Sequence, residues 1–197
     1  MNCTIDYYNK NANQFIDNTS KVDFESHQNL FLKKLSEGAY ILDFGCGSGR
    51  DTKAFLDKGY AVIAVDGSKE LCILASQYTG IDVKQMMFQE LNECEVYDGI
   101  WACASILHLS KDELLIVIAK MCEALKQDGI IYMSFKYGEF EGYRKGRYFI
   151  DMTEATFEKL IVSVTELVLE DQWISHDVRH ERKSERWLNM ILRKRKI

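Results

Sequence analysis

The chain has 197 residues, of which 47% are hydrophobic and 28% charged, and a formal net charge of −5. That is enough for one sizeable core, short for two, and balanced like a folded rather than a disordered protein. The acidic total excludes a global basic field for nucleic acid, and the longest aliphatic run, Leu114 to Ala119, falls far below the ~18 residues of a membrane span.

In chain order, residues 1–36 read as a helical cap, with Tyr8, Ala12 and Phe15 on one face and Phe31 and Leu35 one turn apart. Their mixture of Asp, Asn, Lys and Glu holds no apolar signal-peptide core, so export is not expected. Tyr40 to Phe44 reads as a strand running into a glycine cluster, and Asp51 to Lys58 as a helix closed by Gly59. Ala61 to Val65 is a continuous apolar strand, the kind buried on both faces of a parallel sheet. Ser68 caps the next helix, in which Leu71, Leu74, Ala75 and Tyr78 recur at helical spacing before Gly80. Ile81 to Met86 and Gly99 to Cys103 are the third and fourth strands. Ser110-x-x-Glu113 is a capping box opening a helix that runs toward Gly129. Ile130 to Phe135 is the fifth strand, Thr153 caps a helix carrying Phe157, Leu160 and Ile161, and the last strands are Leu167 to Ile174 and Trp187 to Leu192.

Strand–helix alternation of this kind predicts an α/β fold, a doubly wound, mostly parallel seven-stranded sheet with helices on both faces. The last two strands have no helix between them, so a hairpin there makes the last strand antiparallel. We read one domain over 1–197: the cap at 1–36, a ligand-binding core at 37–136, and a substrate-side segment with the final hairpin at 137–197.

The six cysteines are scattered, with no C-x-x-C pair and no histidine at ligand spacing. This predicts a reduced, cytoplasmic protein without a metal. Basic residues gather only near the end, at Arg193-Lys194-Arg195-Lys196 and, before it, Arg179, Arg182, Lys183 and Arg186. A solvated hairpin is the simplest account of them.

The informative segment is Asp43-Phe44-Gly45-Cys46-Gly47-Ser48-Gly49-Arg50, which follows a strand and opens a helix, where open α/β sheets bind ligands. Glycine there lets a ligand approach the backbone. The dinucleotide fingerprint G-x-G-x-x-G needs its third glycine where Arg50 stands; here the spacing is G-x-G-x-G, with the acid Asp43 just upstream. A pyrophosphate disfavours that anion, whereas the ammonium of a bound methionine favours it. Asp66, about twenty residues farther on at the end of the second strand, is placed to accept both ribose hydroxyls of an adenosine.

These residues resemble the class I S-adenosylmethionine-dependent methyltransferases. Ile41 to Gly49 is similar to their first motif, Val62 to Asp66 to the second, Tyr97 to Trp101 to the fourth strand, and Leu125 to Gly129 to the turn before the fifth. In length and layout the chain is similar to small bacterial enzymes of the tellurite-resistance type. The resemblance implies S-adenosyl-L-methionine as cofactor. Gly45, Cys46 and Gly47 would line its methionine part, Asp66 the ribose, and Gly67 and Ser68 the adenosine. Phe88 and Gln89 stand where the family often has an acid near the adenine amine, and Ala102, Cys103 and Ala104 would run beneath the cofactor. His108 would sit near the transferable methyl as a candidate base; a helix-entry histidine bonded only to backbone is the alternative.

The aromatic, glycine-rich stretch from Lys136 to Phe149, with Tyr137 and Arg147, suits a mobile lid over an acceptor, and Tyr8 would close the other side. Arg147, His176 and Arg179 would suit an anionic acceptor. A small-molecule acceptor is the first expectation; RNA or protein acceptors, or a non-catalytic cofactor-binding subunit, are the alternatives. The chain has no proline, so it lacks the Asn-Pro-Pro-aromatic and Pro-Cys motifs of DNA methyltransferases, and no DNA partner is expected.

Overall fold

The computed structural model of the protein describes residues 3–195, apart from the side chain of His180; Lys196, counted above in the basic end, lies outside them. Three short helices, α1 (Cys3–Lys10), α2 (Ala12–Thr19) and α3 (Glu25–Leu32), lead into β1 (Tyr40–Phe44). Then come α4 (Arg50–Asp57), β2 (Ala61–Asp66), α5 (Lys69–Thr79), β3 (Val83–Gln85), β4 (Tyr97–Ala102), α6 (Lys111–Ala124) and β5 (Leu125–Lys136). A two-stranded hairpin, β6 (Glu141–Arg144) and β7 (Arg147–Ile150), precedes α7 (Glu154–Ile161), β8 (Leu167–His176) and β9 (Arg186–Lys194).

Among the described residues the main sheet has the order β3-β2-β1-β4-β5-β9-β8. The strands from β3 to β5 are parallel, and β9 runs antiparallel between β5 and β8, as the missing crossover helix requires. Strand alternation divides the core. Leu42, Phe44 and Ile100 face the cluster under α6 and α7, while Ile41 and Trp101 face Phe31 and Phe55 of α3 and α4. Trp101 stacks on Tyr132 at 3.9 Å, so adjacent strands are also locked by ring contact. The strand order reverses between β1 and β4, the switch point at which such sheets open a crevice.

Capping follows the sequence closely. Ser68 Oγ accepts from the Leu71 amide at 3.2 Å, and Ser110 and Glu113 complete their reciprocal box. Gly59 sits past α4 at φ +85° with the left-handed geometry expected of it.

The N-terminal segment is helical as expected, divided into three helices at Asn11 and again across 20–24. Three local expectations change. α6 stops at Ala124, not at Gly129, because the amides of Glu95 and Val96 take the Glu123 and Ala124 carbonyls at 2.9 Å and Leu125 pairs with Tyr97. Tyr78 is exposed; α5 buries Leu71, Cys72, Ala75 and Thr79 instead. The stretch expected as a lid loop is a β-hairpin, turned at Lys145 and Gly146, both at positive φ.

Candidate active site

Past the carboxyl ends of β1, β2, β4 and β5 lies a cavity of about 220 Å³. The glycine loop forms its floor. Gly45 and Cys46 donate both their amides to the Val65 carbonyl at 2.9 Å, which folds the loop onto β2. Gly45 is at φ +87°, and a Cβ there would meet Ser105 Cβ at 2.5 Å and Phe88 at 3.1 Å, so glycine is obligatory. Ser105 is itself fixed by donating to the Phe44 carbonyl at 2.6 Å.

Asp66 stands at the tip of β2. One carboxylate oxygen accepts from the Gly47 amide at 3.0 Å and the other from Ser68 at 2.8 Å. Each oxygen keeps a free lone pair, and the pair is aimed by two rigid backbone segments. Burial raises the Asp66 pKa, and those two amides oppose the rise. Asp43 also lines the cavity but is 2% exposed and accepts from Thr52 Oγ1 at 2.5 Å. Burial, and then the neighbouring Asp51 carboxylate, push its pKa up.

Asp51 anchors a network that no spacing in the chain foretells. It holds Arg50 through two bonds of 2.9 and 2.8 Å and accepts from Gln28 at 2.7 Å and Trp101 at 2.9 Å. Arg50, the residue in the dinucleotide glycine position, lies over Phe24 at 4.4 Å and joins the cavity wall. This network ties α3, α4 and β4 together beside the glycine loop.

The roof comes from the N-terminal helices and from the β6–β7 hairpin. α1 reaches the start of α5 through Asn9 Oδ1, which accepts from Ser68 Oγ at 2.7 Å, and reaches the hairpin through Thr4 Oγ1, which accepts from the Tyr148 amide at 3.1 Å. Ile5 lies against Gly67, where a Cβ would meet Ile5 Cδ1 at 2.7 Å, and Phe15 lies over Gly47 in the same way at 2.9 Å.

His108 stands beneath this roof on the short 3-10 turn Ile106–His108. Its Nδ1 lies 2.6 Å from the Tyr148 carbonyl, so Nδ1 carries the proton and Nε2 is the acceptor. The Tyr8 hydroxyl donates to Nε2 at 2.8 Å. Burial lowers the His108 pKa to about 4, which keeps the ring neutral at pH 7. Arg147 Nη1 donates to the same Tyr8 oxygen at 3.3 Å.

The cavity therefore gathers Asp43, Gly45, Cys46, Gly47, Asp66, Gly67, Phe88, Cys103, Ala104, His108, Tyr8 and Arg147 from the expected set. Ser68 stands just behind, holding Asp66. Three expected residues are elsewhere. Gln89 turns outward to Glu113 at 3.4 Å, Ala102 is sealed in the core, and Tyr137 bonds Glu154 at 2.9 Å under the Arg186 guanidinium. His176 and Arg179 do reach the wall at the β8 end, but Arg179 is held by buried Asp177. Thr4, Ile5, Phe15, Phe24, Arg50 and Asp51 are wall residues that sequence reasoning missed, because they come from the cap and from the flank of the loop.

Known proteins share this fold. A family model described as a methyltransferase domain matches residues 41–129. A methyltransferase of Staphylococcus carnosus (strain TM300), described as uncharacterized, is 27% identical over 114 residues, 58% of this chain and 55% of its own length. The chain thus spans about half the length of the curated relatives it matches. Among solved structures, the Burkholderia thailandensis 1,6-didemethyltoxoflavin-N1-methyltransferase, bound to 1,6-didemethyltoxoflavin and S-adenosylhomocysteine, superposes with a TM-score of 0.77 at 22% identity, over 98% of this chain and 85% of that one. The N-methyltransferase NodS of Bradyrhizobium japonicum WM9, in complex with S-adenosylhomocysteine, gives 0.71 at 13% identity, over 95% and 98%. Motif, sheet order and glycine loop agree on one conclusion: this chain has the class I S-adenosylmethionine-dependent methyltransferase fold.

Proposed function

We propose that the protein is an S-adenosylmethionine-dependent methyltransferase acting on a small-molecule acceptor in the cytoplasm. The observation that carries this is the Asp66 carboxylate, held by the Gly47 and Ser68 amides beside a glycine loop that admits no side chain. Those residues fit the cofactor. The free lone pairs of Asp66 suit a vicinal diol, Met87 and Phe88 offer an apolar slot for a base, and Asp43 with the Gly45–Gly47 backbone faces the methionine end. Bound S-adenosylmethionine supplies an electrophilic methyl group.

What the chain's own residues do is position and exclude. In-line displacement on a methyl group draws most of its rate from alignment, which suits a walled cavity. The roof of α1, α2 and the β6–β7 hairpin keeps water from the reacting pair. Neutral His108, its Nδ1–H tied to Tyr148, has Nε2 placed to take the Tyr8 hydroxyl proton as Tyr8 takes one from the acceptor.

The charge pattern supports a small acceptor over RNA. Arg193 pairs with Glu170, Arg179 with Asp177, and Lys194 is buried with its ammonium donating to the Leu125 carbonyl at 2.8 Å. Three basic residues of this end are thus held by partners within the fold, while Lys183, Arg186 and Arg195 stay exposed. All six cysteines are free, and among the described residues no helix is long and apolar enough to cross a membrane. In length and layout we group the chain with the tellurite-resistance type.

The test is calorimetry followed by an acceptor screen. S-adenosylhomocysteine should bind and NAD should not. Purified protein with S-adenosylmethionine should release S-adenosylhomocysteine with some member of a panel of small acids, phenols, amines and thiols. It should fail to bind tRNA at about 0.15 M salt. Preference for NAD would overturn the cofactor assignment, and methyl incorporation into tRNA would overturn the acceptor class.

A further inference from the structure

Arg147 differs from the other cations of the cavity wall. Arg50, Lys136 and Arg179 each face a carboxylate, of Asp51, Glu185 and Asp177 respectively. Among the described residues Arg147 has no carboxylate within ion-pair distance. Its guanidinium lies flat against rings, 4.4 Å from the Tyr7 centroid, 5.0 Å from Phe149 and 5.6 Å from Tyr8. Stacking of this kind uses the face of the group. The N–H donors lie in its plane and point past the rings. One of them reaches the Tyr8 hydroxyl, while Nε is buried with no hydrogen-bond partner.

Arg182, also on the wall, makes no ion pair among the described residues and has no such orphaned nitrogen. A buried guanidinium edge without acceptors is costly, and a protein normally supplies them. Nε itself is shielded from the cavity, but among the described residues Nη2 makes no hydrogen bond and is not buried, so it is the donor that Arg147 leaves open on the cavity wall, next to the Tyr8–His108 pair.

We infer that the acceptor carries an oxyanion, a carboxylate or a phosphate, which Arg147 binds in the cavity beside Tyr8 and His108. This rests on the methyltransferase reading only in calling the ligand an acceptor; the anion site stands on the geometry of Arg147. Its planar fork matches either group through two parallel N–H···O bonds, and the rings beneath hold it in place before the ligand arrives. The acceptor is thereby oriented by its charged end. The atom to be methylated lies on the side facing His108.

The test uses the full chain, with and without S-adenosylhomocysteine, titrated with benzoate, phenyl phosphate and neutral benzamide. One or both acids should bind more tightly than benzamide, and the tighter acid assigns the oxyanion. Arg147→Met, which keeps the apolar stem over Tyr7 and Phe149, should weaken that acid about ten- to a hundredfold. Arg147→Lys should restore part of the loss, because it returns the charge without the fork. S-adenosylhomocysteine should bind all three proteins alike, which also shows that the variants fold. Acids that bind wild type no better than benzamide, or a preference that survives Arg147→Met, would overturn the inference. Failure of wild type to bind S-adenosylhomocysteine would instead sink the cofactor reading, and the anion preference would still be measured on the chain alone.

Discussion

The Tyr8 hydroxyl and His108 Nε2 lie 2.8 Å apart, although one belongs to the N-terminal cap and the other to the turn after β4. The contact joins the α1 side of the cavity to the turn after β4, and His108 there is a neutral imidazole at pH 7.

That pair has a measurable pH signature. His108 is held at about 4 against an ordinary value of 6.5, so between those values the unfolded chain binds a proton that the native ring refuses. Stability is therefore full above about pH 6.5 and falls as pH drops toward 4, by up to ~3 kcal/mol from this residue. Urea unfolding of wild type and His108→Gln at pH 7 and pH 4.5 should show a smaller acid loss in the variant. An identical loss in both would assign the effect to other groups. Tyr8→Phe strands Nε2 without its donor and should cost about 1–3 kcal/mol at pH 7.

With Asp66 as the proposed acceptor of the ribose hydroxyls, Asp66→Ala should weaken S-adenosylhomocysteine by about 1.5–3 kcal/mol per lost charge-assisted bond. Asp66→Asn keeps the shape and should lose less. Calorimetry reads both, with circular dichroism as the check on folding. Unchanged affinity in Asp66→Ala would take the residue out of the site.

Two glycines with nearly the same backbone angle separate strain from crowding. Gly45→Ala meets Ser105 Cβ at 2.5 Å, while Gly59→Ala, at φ +85°, meets nothing within 4 Å. Both carry the left-handed penalty, of order 1 kcal/mol. Gly45→Ala should lose about 1–3 kcal/mol more from overpacking and should also lose cofactor binding. Thermal melts with and without S-adenosylhomocysteine would settle it; equal losses in the two variants would contradict the crowding argument.

Asp51→Ala leaves Arg50, Gln28 and Trp101 without their shared acceptor. Breaking a buried pair by removing one partner costs about 3–5 kcal/mol, and this variant should fall in that range by urea unfolding. A loss under ~1 kcal/mol would make the pair behave like an exposed one.

Much of this molecule was legible before any coordinates. Sheet class, the antiparallel last strand, the glycine loop and the Ser68 and Ser110 caps depend on residues within a few positions of one another. Local sterics and hydrogen bonds decide such features, so periodicity and spacing report them. Asp66 was readable for the same reason, because strand length alone carries it to the sheet edge.

The tertiary structure alone decided the rest. No spacing rule links Tyr8 to His108, Thr4 to Tyr148 or Gln28 to Asp51, since each pair is brought together by the docking of separate elements. Whether α6 ran on to Gly129 turned on two amides from the preceding loop that claim its last carbonyls. Gln89 and Tyr137 had the right chemistry in the right stretch of chain, but a one-residue rotation on a short turn or strand sends a side chain outward as readily as inward. Sequence determines which groups are available; only the packed chain determines which of them meet.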